Sequence, residues 1–380
     1  MRQVSVVGIG QVPVKKKYEN PMREVAATAV HNAMEYAGVD SVDALFAGNM
    51  LSDELQGQKH IAALIADEAG LRGVEALQVR AATATGAAAL RMAYFAVASG
   101  EADLAIAVGA EKMSTGMATP ALAKALDSEK EVPAGATLIS KNAELMQLYI
   151  KQYGLPEDGL VNFAVNAHHN ALTNPNALFH KEITAESVLN SKIIVPPIRL
   201  LDCSPVCDGA AAVILAPTEE ARAYTSQPVH ILASSVATDR FRIEDRVYPL
   251  KLRAARLSAL RAARRANINR EDLSFYEVHD AFSIMACLLL ESVGFAKPGQ
   301  GWRLAQEKRI FRDGDIPIAT MGGLKARGHP IGATAIYQTC EIFQQLTEQA
   351  GENQLHNAKL AMLQSVGGAA STVLTHIFGN

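Results

Sequence analysis

A chain of 380 residues, 49% hydrophobic and 20% charged, can bury a large core, as two packed units or one large α/β body. Its net charge of −3, with acids and bases interspersed, argues against nucleic acid as a partner and against a solvating tail. Four cysteines (Cys203, Cys207, Cys287, Cys340) read as reduced thiols in a cytoplasmic protein, no charged-then-apolar leader opens the chain, and the longest apolar run, 281–290, is too short to span a bilayer.

In chain order, MRQVSVVGIG opens as a strand. Residues 23–49 then show small apolar residues at three- and four-residue steps, a short acidic link and a strand, which predicts a helix–strand unit. The turn AATATG at 81–86 opens a helix near Thr85, and LAIAVGAEKM at 104–113 reads as a buried strand. Residues 115–200 are more polar, helical in patches and broken by proline, as expected of an inserted loop domain over one face. LLDCSPVCDGAAAVILAP at 200–217 returns to the core as a turn and a buried strand.

The remainder repeats the opening. PVHILASSVAT, from near Gln227, echoes VSVVGIGQVPV, and residues 253–279 repeat the helix–strand unit of 23–49. GGLKARGHPIGATAIYQTCEIF at 322–343 matches the glycine/alanine-rich turn and helix at 81–100, and KLAMLQSVGG at 359–368 matches the strand at 104–113. Two copies of one unit predict an α/β fold of two pseudo-two-fold-related halves in stacked layers. The halves divide at residues 1–225 and 226–380, with the insertion inside the first.

Residues that could carry chemistry stand at the ends of these predicted strands. Thr83 lies in the turn before a helix N-terminus, where backbone N–H groups favour developing negative charge. His279 follows the strand LSFYEV, and His329 lies in a tight Gly-His-Pro turn. Ser365 and Gly367 lie in SVGG, whose glycines let a substrate approach the backbone. A single histidine after a strand is ordinarily structural; the placement of these groups at equivalent points of both repeats points to a shared site. Cys203-x3-Cys207 has no second Cys/His pair at zinc-ligand spacing, which argues against a metal.

GGLKARGHPIGATA, HDAF at 279–282, the segment VRAATATGAAALRMAYFAVASGEADLAIAVGAEKMS and LLDCSPVCDGAAAVIL together resemble, in order and over essentially the whole chain, the thiolase superfamily in its archaeal-type and sterol-carrier-protein-type branches. The resemblance implies the thiolase fold, an acyl-coenzyme A substrate with no permanently bound cofactor, and a homodimer. It also implies a small zinc-ribbon/OB-fold protein as a partner. It makes His329 the histidine that activates the nucleophile and lines one oxyanion hole, with His279 its second contributor. Gly367 would supply a backbone donor of the other hole, with the N–H of residue 83.

The chain departs from that pattern where the family's sulfur should be. The acyl-accepting cysteine is replaced by Thr83, the second catalytic cysteine by Ser365, and the cysteine that the sterol-carrier branch keeps inside HDAF by Ala281. A thiolate forms readily beside a histidine at a helix N-terminus; a threonine hydroxyl is a far weaker acid and needs its own base. Normal thiolysis is therefore in doubt. Three functions stay open: C-acyl transfer from acyl-CoA, non-covalent aldol-type cleavage of a 3-hydroxyacyl-CoA, and acyl-CoA binding as a non-catalytic scaffold subunit. The second requires a base, for which Tyr248, Asp280 and Ser365 are candidates.

Overall fold

In the computed structural model, which describes residues 1–380, the opening segment forms β1 (Val4–Gln11) and the first repeat unit α1 (Met22–Ala37) and β2 (Ala44–Gly48). Helix α1 buries Val25, Ala26, Ala29, Val30 and Ala33 along one face and stops at Gly38 in the left-handed conformation. There follow α2 (Ser52–Leu55), α3 (Ile61–Glu68), β3 (Glu75–Val79), α4 (Thr85–Ser99) and β4 (Ala105–Lys112). The polar insertion holds α5 (Ala118–Ala123), α6 (Leu138–Tyr153), α7 (Val161–Ala171), α8 (Ala185–Leu189) and a small ribbon of β5 (Ile193–Val195) and β6 (Ile198–Arg199). Thr137 and Ser140 cap α6 reciprocally, which fixes where that helix starts.

The chain then re-enters the core as β7 (Asp208–Pro217) and runs through β8 (Val229–Thr238), α9 (Arg253–Ala266) and β9 (Phe275–Glu277). It ends with α10 (Ser283–Val293), α11 (Gly301–Gln306), α12 (Thr334–Leu346), β10 (Leu360–Gly367) and β11 (Thr372–Gly379). Nine strands form one sheet in the order β3-β2-β4-β7-β1-β8-β11-β10-β9. Outward from its centre, β1-β7-β4-β2 on one side and β8-β11-β10-β9 on the other follow the same connectivity. The repeat read in the sequence is thus a two-fold relation in space. The seam is thin, because β1 and β8 pair only at Ser5↔His230 and Val6↔Val229.

What joins the halves is the layer between them. Every residue of α12 except Gln344 is buried, and α12 packs with α4 in one core that also takes side chains from β1, β4, β7, β8, β10 and β11. A helix enclosed on all sides must satisfy its polar groups internally. Gln338 donates to Val278 O (3.0 Å) and Glu341 accepts from Arg327 (3.0 Å). Two further cores lie outside this layer, one under α1 and α3, the other under α6, α9 and α10. The turns leading into α4 and α12 carry Thr83 and His329, while His279 follows β9 and Ser365 and Gly367 end β10.

Candidate active site

The turn before α4 is held by side-chain bonds that its small residues permit. Thr85 Oγ1 accepts from Ala81 N–H (2.9 Å) and donates to Ala82 O (2.6 Å), while Ala82 sits at φ +49°. Thr83, 5% exposed, donates its hydroxyl proton to Val366 O across the seam (2.6 Å). Beside it, a Cβ on Gly367 would lie 2.7 Å from Ala81 O, so only glycine lets the end of β10 approach this turn so closely.

His329 is fixed from three directions. Its backbone N–H donates to Cys207 Sγ (3.2 Å), the carbonyl before it accepts from Arg327 Nη1 (2.7 Å), and its Nδ1 lies 2.6 Å from Thr334 Oγ1. The turn that follows plugs into the N-terminal half. The Gly332 carbonyl rests where side chains at Gly48, Gly86 and Gly109 would otherwise stand, and Gly332 N–H donates to Glu111 (3.0 Å). Glu111 also accepts from Met50 N–H, Leu51 N–H and Asn49 Nδ2 at 2.8–3.0 Å. Burial nevertheless pushes this carboxyl up to about 7.

His279 follows β9, and its ring meets the ring of His329 edge-on, centroids 5.2 Å apart. Its Nδ1 is buried without a partner and the Nδ1 of His329 is taken by Thr334, so Nε2 is the nitrogen each ring has left for the cavity that both line. Burial pushes His279 down to about 3. Burial, the neighbouring His279 and the Arg327 guanidinium hold His329 well below the usual histidine range. Both imidazoles are therefore neutral near pH 7.

The cavity, of about 110 Å³, is lined by Thr83, His279 and His329 from the two halves and by Leu122, Leu138, Ile139 and Asn142 from the insertion. Ala281, Phe282, Met285 and Val366 add to its wall, and no lysine, arginine or carboxylate lines it. The other predicted site residues stand elsewhere. Ser365 is fully buried, with its hydroxyl unpartnered, outside the cavity lining. Gly367 shapes the site from behind Ala81, while its neighbours Val366 and Gly368 line the cavity.

Of the further candidate bases, Tyr248 is 64% exposed under the Lys251 ammonium, away from the cavity. Asp280 points away from it, accepting from Leu324 N–H (2.7 Å). Cys203, singled out in the sequence only as a reduced thiol, is part of the cavity wall. Cys203 bridges Phe282 and Ser204 N–H donates to Ala281 O (2.8 Å), so the re-entry turn lies directly against HDAF. Cys207 and Cys287 are structural: the first receives the His329 N–H and the second is packed against Tyr149 and Glu291.

Behind the histidines lies a buried polar layer. Glu277 accepts from Thr320 N–H and Oγ1 (3.0 and 2.7 Å), Lys325 donates to Asp202 O, and Arg327 pairs with Glu341. Burial raises Glu277 and Asp280 and pushes Glu341 up to about 8, against the pull of Arg327. The layer braces the segment 320–329 against β9, and so sets the approach of the two rings.

Two family models account for nearly the whole chain: "Thiolase, N-terminal domain" over residues 4–219 and "Thiolase C-terminal domain-like" over residues 235–380. The chain is 41% identical to an acetyl-CoA acetyltransferase of Methanothermobacter thermautotrophicus over 100% of both sequences. It is 28% identical to sterol carrier protein 2 of Bos taurus, over 98% of this chain and 72% of that protein. Among solved structures it resembles the Ltp2-ChsH2(DUF35) aldolase, with TM-score 0.87 and 22% identity over 99% of this chain and 97% of that one. It likewise resembles human mitochondrial 3-ketoacyl-CoA thiolase, with TM-score 0.76 and 15% identity over 100% and 99%; at such identities the likeness is one of fold. By its sequence matches over both halves, this chain belongs to the thiolase family.

Proposed function

We propose that the cavity takes the thioester end of an acyl-coenzyme A and that its chemistry is non-covalent, the aldol-type cleavage or formation of the Cα–Cβ bond of a 3-hydroxyacyl-CoA. The observation that carries this reading is the hydrogen bond from Thr83 to Val366 O. The one proton that Thr83 would have to lose is held by a backbone carbonyl and is not directed at either imidazole. An acyl-threonine would moreover be an oxygen ester, more stable than the incoming thioester and slow to return its acyl group to a thiol.

Two neutral imidazoles with Nε2 toward one cavity suit the non-covalent step. In cleavage, His329 Nε2 takes the proton of the 3-hydroxyl, C3–O becomes a carbonyl, and the Cα–Cβ electron pair passes into an enolate. His279 Nε2–H holds the enolate oxygen, the kind of stabilisation that is usually the largest catalytic contribution. The proton then moves from His329 to Cα, releasing acyl-CoA and a carbonyl product.

A second reading, C-acyl transfer through Thr83, draws on the 41% identity to a protein named acetyl-CoA acetyltransferase. One experiment separates the two. After incubation with acetyl-CoA, intact mass reports any acyl adduct, and a 3-hydroxyacyl-CoA is assayed for cleavage by wild type and His329→Ala. Cleavage that the substitution abolishes, without an adduct, is the expected result. An adduct on Thr83 with thiolysis of acetoacetyl-CoA overturns it, and coenzyme A binding with no turnover in either assay reduces the chain to a scaffold subunit.

The same reading places the protein in the cytoplasm, divides it into halves at 1–225 and 226–380, and makes it a homodimer. Supporting the dimer, β3 is the open edge of the sheet, with Leu77 51% exposed, so a second copy could extend the sheet there. The aldolase neighbour is a complex with a DUF35 protein; a small zinc-ribbon/OB-fold protein is proposed as this chain's partner as well.

A further inference from the structure

Thr334, the first residue of α12, is a group that neither the motif reading nor the cavity lining singles out. Its Oγ1 lies 2.6 Å from His329 Nδ1 and 3.2 Å from Pro330 O. Both contacts are buried, and a hydroxyl has one proton. They can be hydrogen bonds together in only one arrangement: Thr334 donates to Pro330 O and accepts from an Nδ1–H of His329. The opposite arrangement, with Thr334 donating to Nδ1, abandons the bond to Pro330 and moves the ring proton to Nε2. From this geometry we infer that Thr334 is a positioning residue that holds His329 as its Nδ1–H tautomer, so that Nε2 presents a lone pair to the cavity.

The chemical consequence is directional. The buried Nδ1 of His279 has no hydrogen-bond partner; a buried acceptor left unpaired is tolerated better than a buried N–H, so its proton belongs on Nε2. The two facing rings are then unlike, His279 a donor and His329 an acceptor. An aldol step needs this division, one ring to hold the thioester oxygen and one to receive the hydroxyl proton. The inference deepens the reading given above and rests on it for its catalytic meaning, though not for the tautomer itself.

The test has two arms that fail separately. Long-range ¹H–¹⁵N correlation spectra of the ¹⁵N-histidine-labelled wild-type protein identify which ring nitrogen of His329 is protonated, with His329→Gln supplying the assignment. The expected result is a protonated Nδ1 and a bare Nε2; a protonated Nε2 overturns the inference whether or not the protein turns over 3-hydroxyacyl-CoA. In the second arm, Thr334→Val is expected to lower kcat by roughly 10²-fold or more with KM little changed, as when a catalytic histidine is left in the wrong tautomer. Thr334→Ser, which restores the hydroxyl, should return to within about threefold of wild type. Wild-type kcat in the valine variant overturns the positioning role. Should that variant fail to fold, the serine variant and the wild-type spectrum decide.

Discussion

The ring of His279 stands edge-on to the ring of His329, with 87° between their planes and 5.2 Å between their centroids. The first ring follows β9; the second is seated against the N-terminal half by Gly332 and Glu111. The contact therefore reports on how the whole seam is assembled, and most of its tests are tests of that assembly.

Thr83→Cys replaces the hydroxyl by a thiol at the same helix N-terminus. If the remaining machinery matches that of a thiolase, the variant acquires an acyl adduct from acetyl-CoA, visible by intact mass, and measurable thiolysis of acetoacetyl-CoA. No adduct would show that the surrounding site has moved away from covalent chemistry as well.

Gly332→Ala would place a Cβ 2.5 Å from Gly48 O and 2.9 Å from Ala110 O, both backbone atoms that cannot step aside. The expected cost is about 1–3 kcal/mol in urea unfolding, with a larger fractional loss of turnover because the turn carries His329 with it. Unchanged stability and activity would mean that the turn is not seated as tightly as its contacts indicate.

The Arg327–Glu341 pair is wholly buried, at 3.0 Å, with Arg327 Nη2 and Glu341 Oε2 unpartnered. Removing one partner, as in Glu341→Leu, takes away the acceptor of the Arg327 Nε–H and should cost about 3–5 kcal/mol above pH 8, where Glu341 is ionised. The double variant Arg327→Met with Glu341→Leu should recover much of that stability. A double variant no better than the single one would locate the cost in packing around α12 and not in the charge.

The low basicity of His279 sets a pH dependence of known sign. Its folded value, about 3, lies below the ordinary value near 6.5, so between these limits the unfolded chain binds a proton that the folded chain refuses. Stability is unaffected by this group above pH 6.5 and declines as pH falls toward 3. Raised carboxyls such as Glu111 and Glu341 act in the opposite sense, losing stability as pH rises above their unfolded values. Comparison with His279→Asn isolates the histidine: relative to that variant, wild type should lose about 1.4 kcal/mol per pH unit from pH 6 to pH 4. A difference that stays constant with pH would mean that the ring is hydrated in the folded protein.

Much of the fold was legible because its signals are local and duplicated. The three- and four-residue spacing in α1 and α9, the small-residue turn at the start of α4 and the strand runs of β4 and β10 each occur twice, in the same order. Thr83, His279 and His329 could be chosen as one group for that reason. Ser365 could not be placed on the right side of its strand from the sequence, because side chains alternate across a sheet and only the register with β11 decides which face looks into the cavity. Tyr248 and Asp280 were eligible by chemistry alone, and exposure removes the first while a bond to Leu324 occupies the second.

Cys203 and Thr334 show the complementary limit. Nothing in DCSPVC says that the turn will lie against HDAF, since that contact spans about eighty residues and depends on where the insertion returns the chain. Nor does a threonine opening a helix announce a bond to a ring five residues earlier, because the turn between them has first to fold back. The sequence by itself determined the repeated halves and the family, for these are written in residue types and their order. Only the tertiary structure decided which imidazole nitrogens face the cavity, where the Thr83 proton goes and which residues brace His329. Hydrogen bonds depend on distances and directions within a few tenths of an ångström, and those are set by packing between segments far apart in the chain.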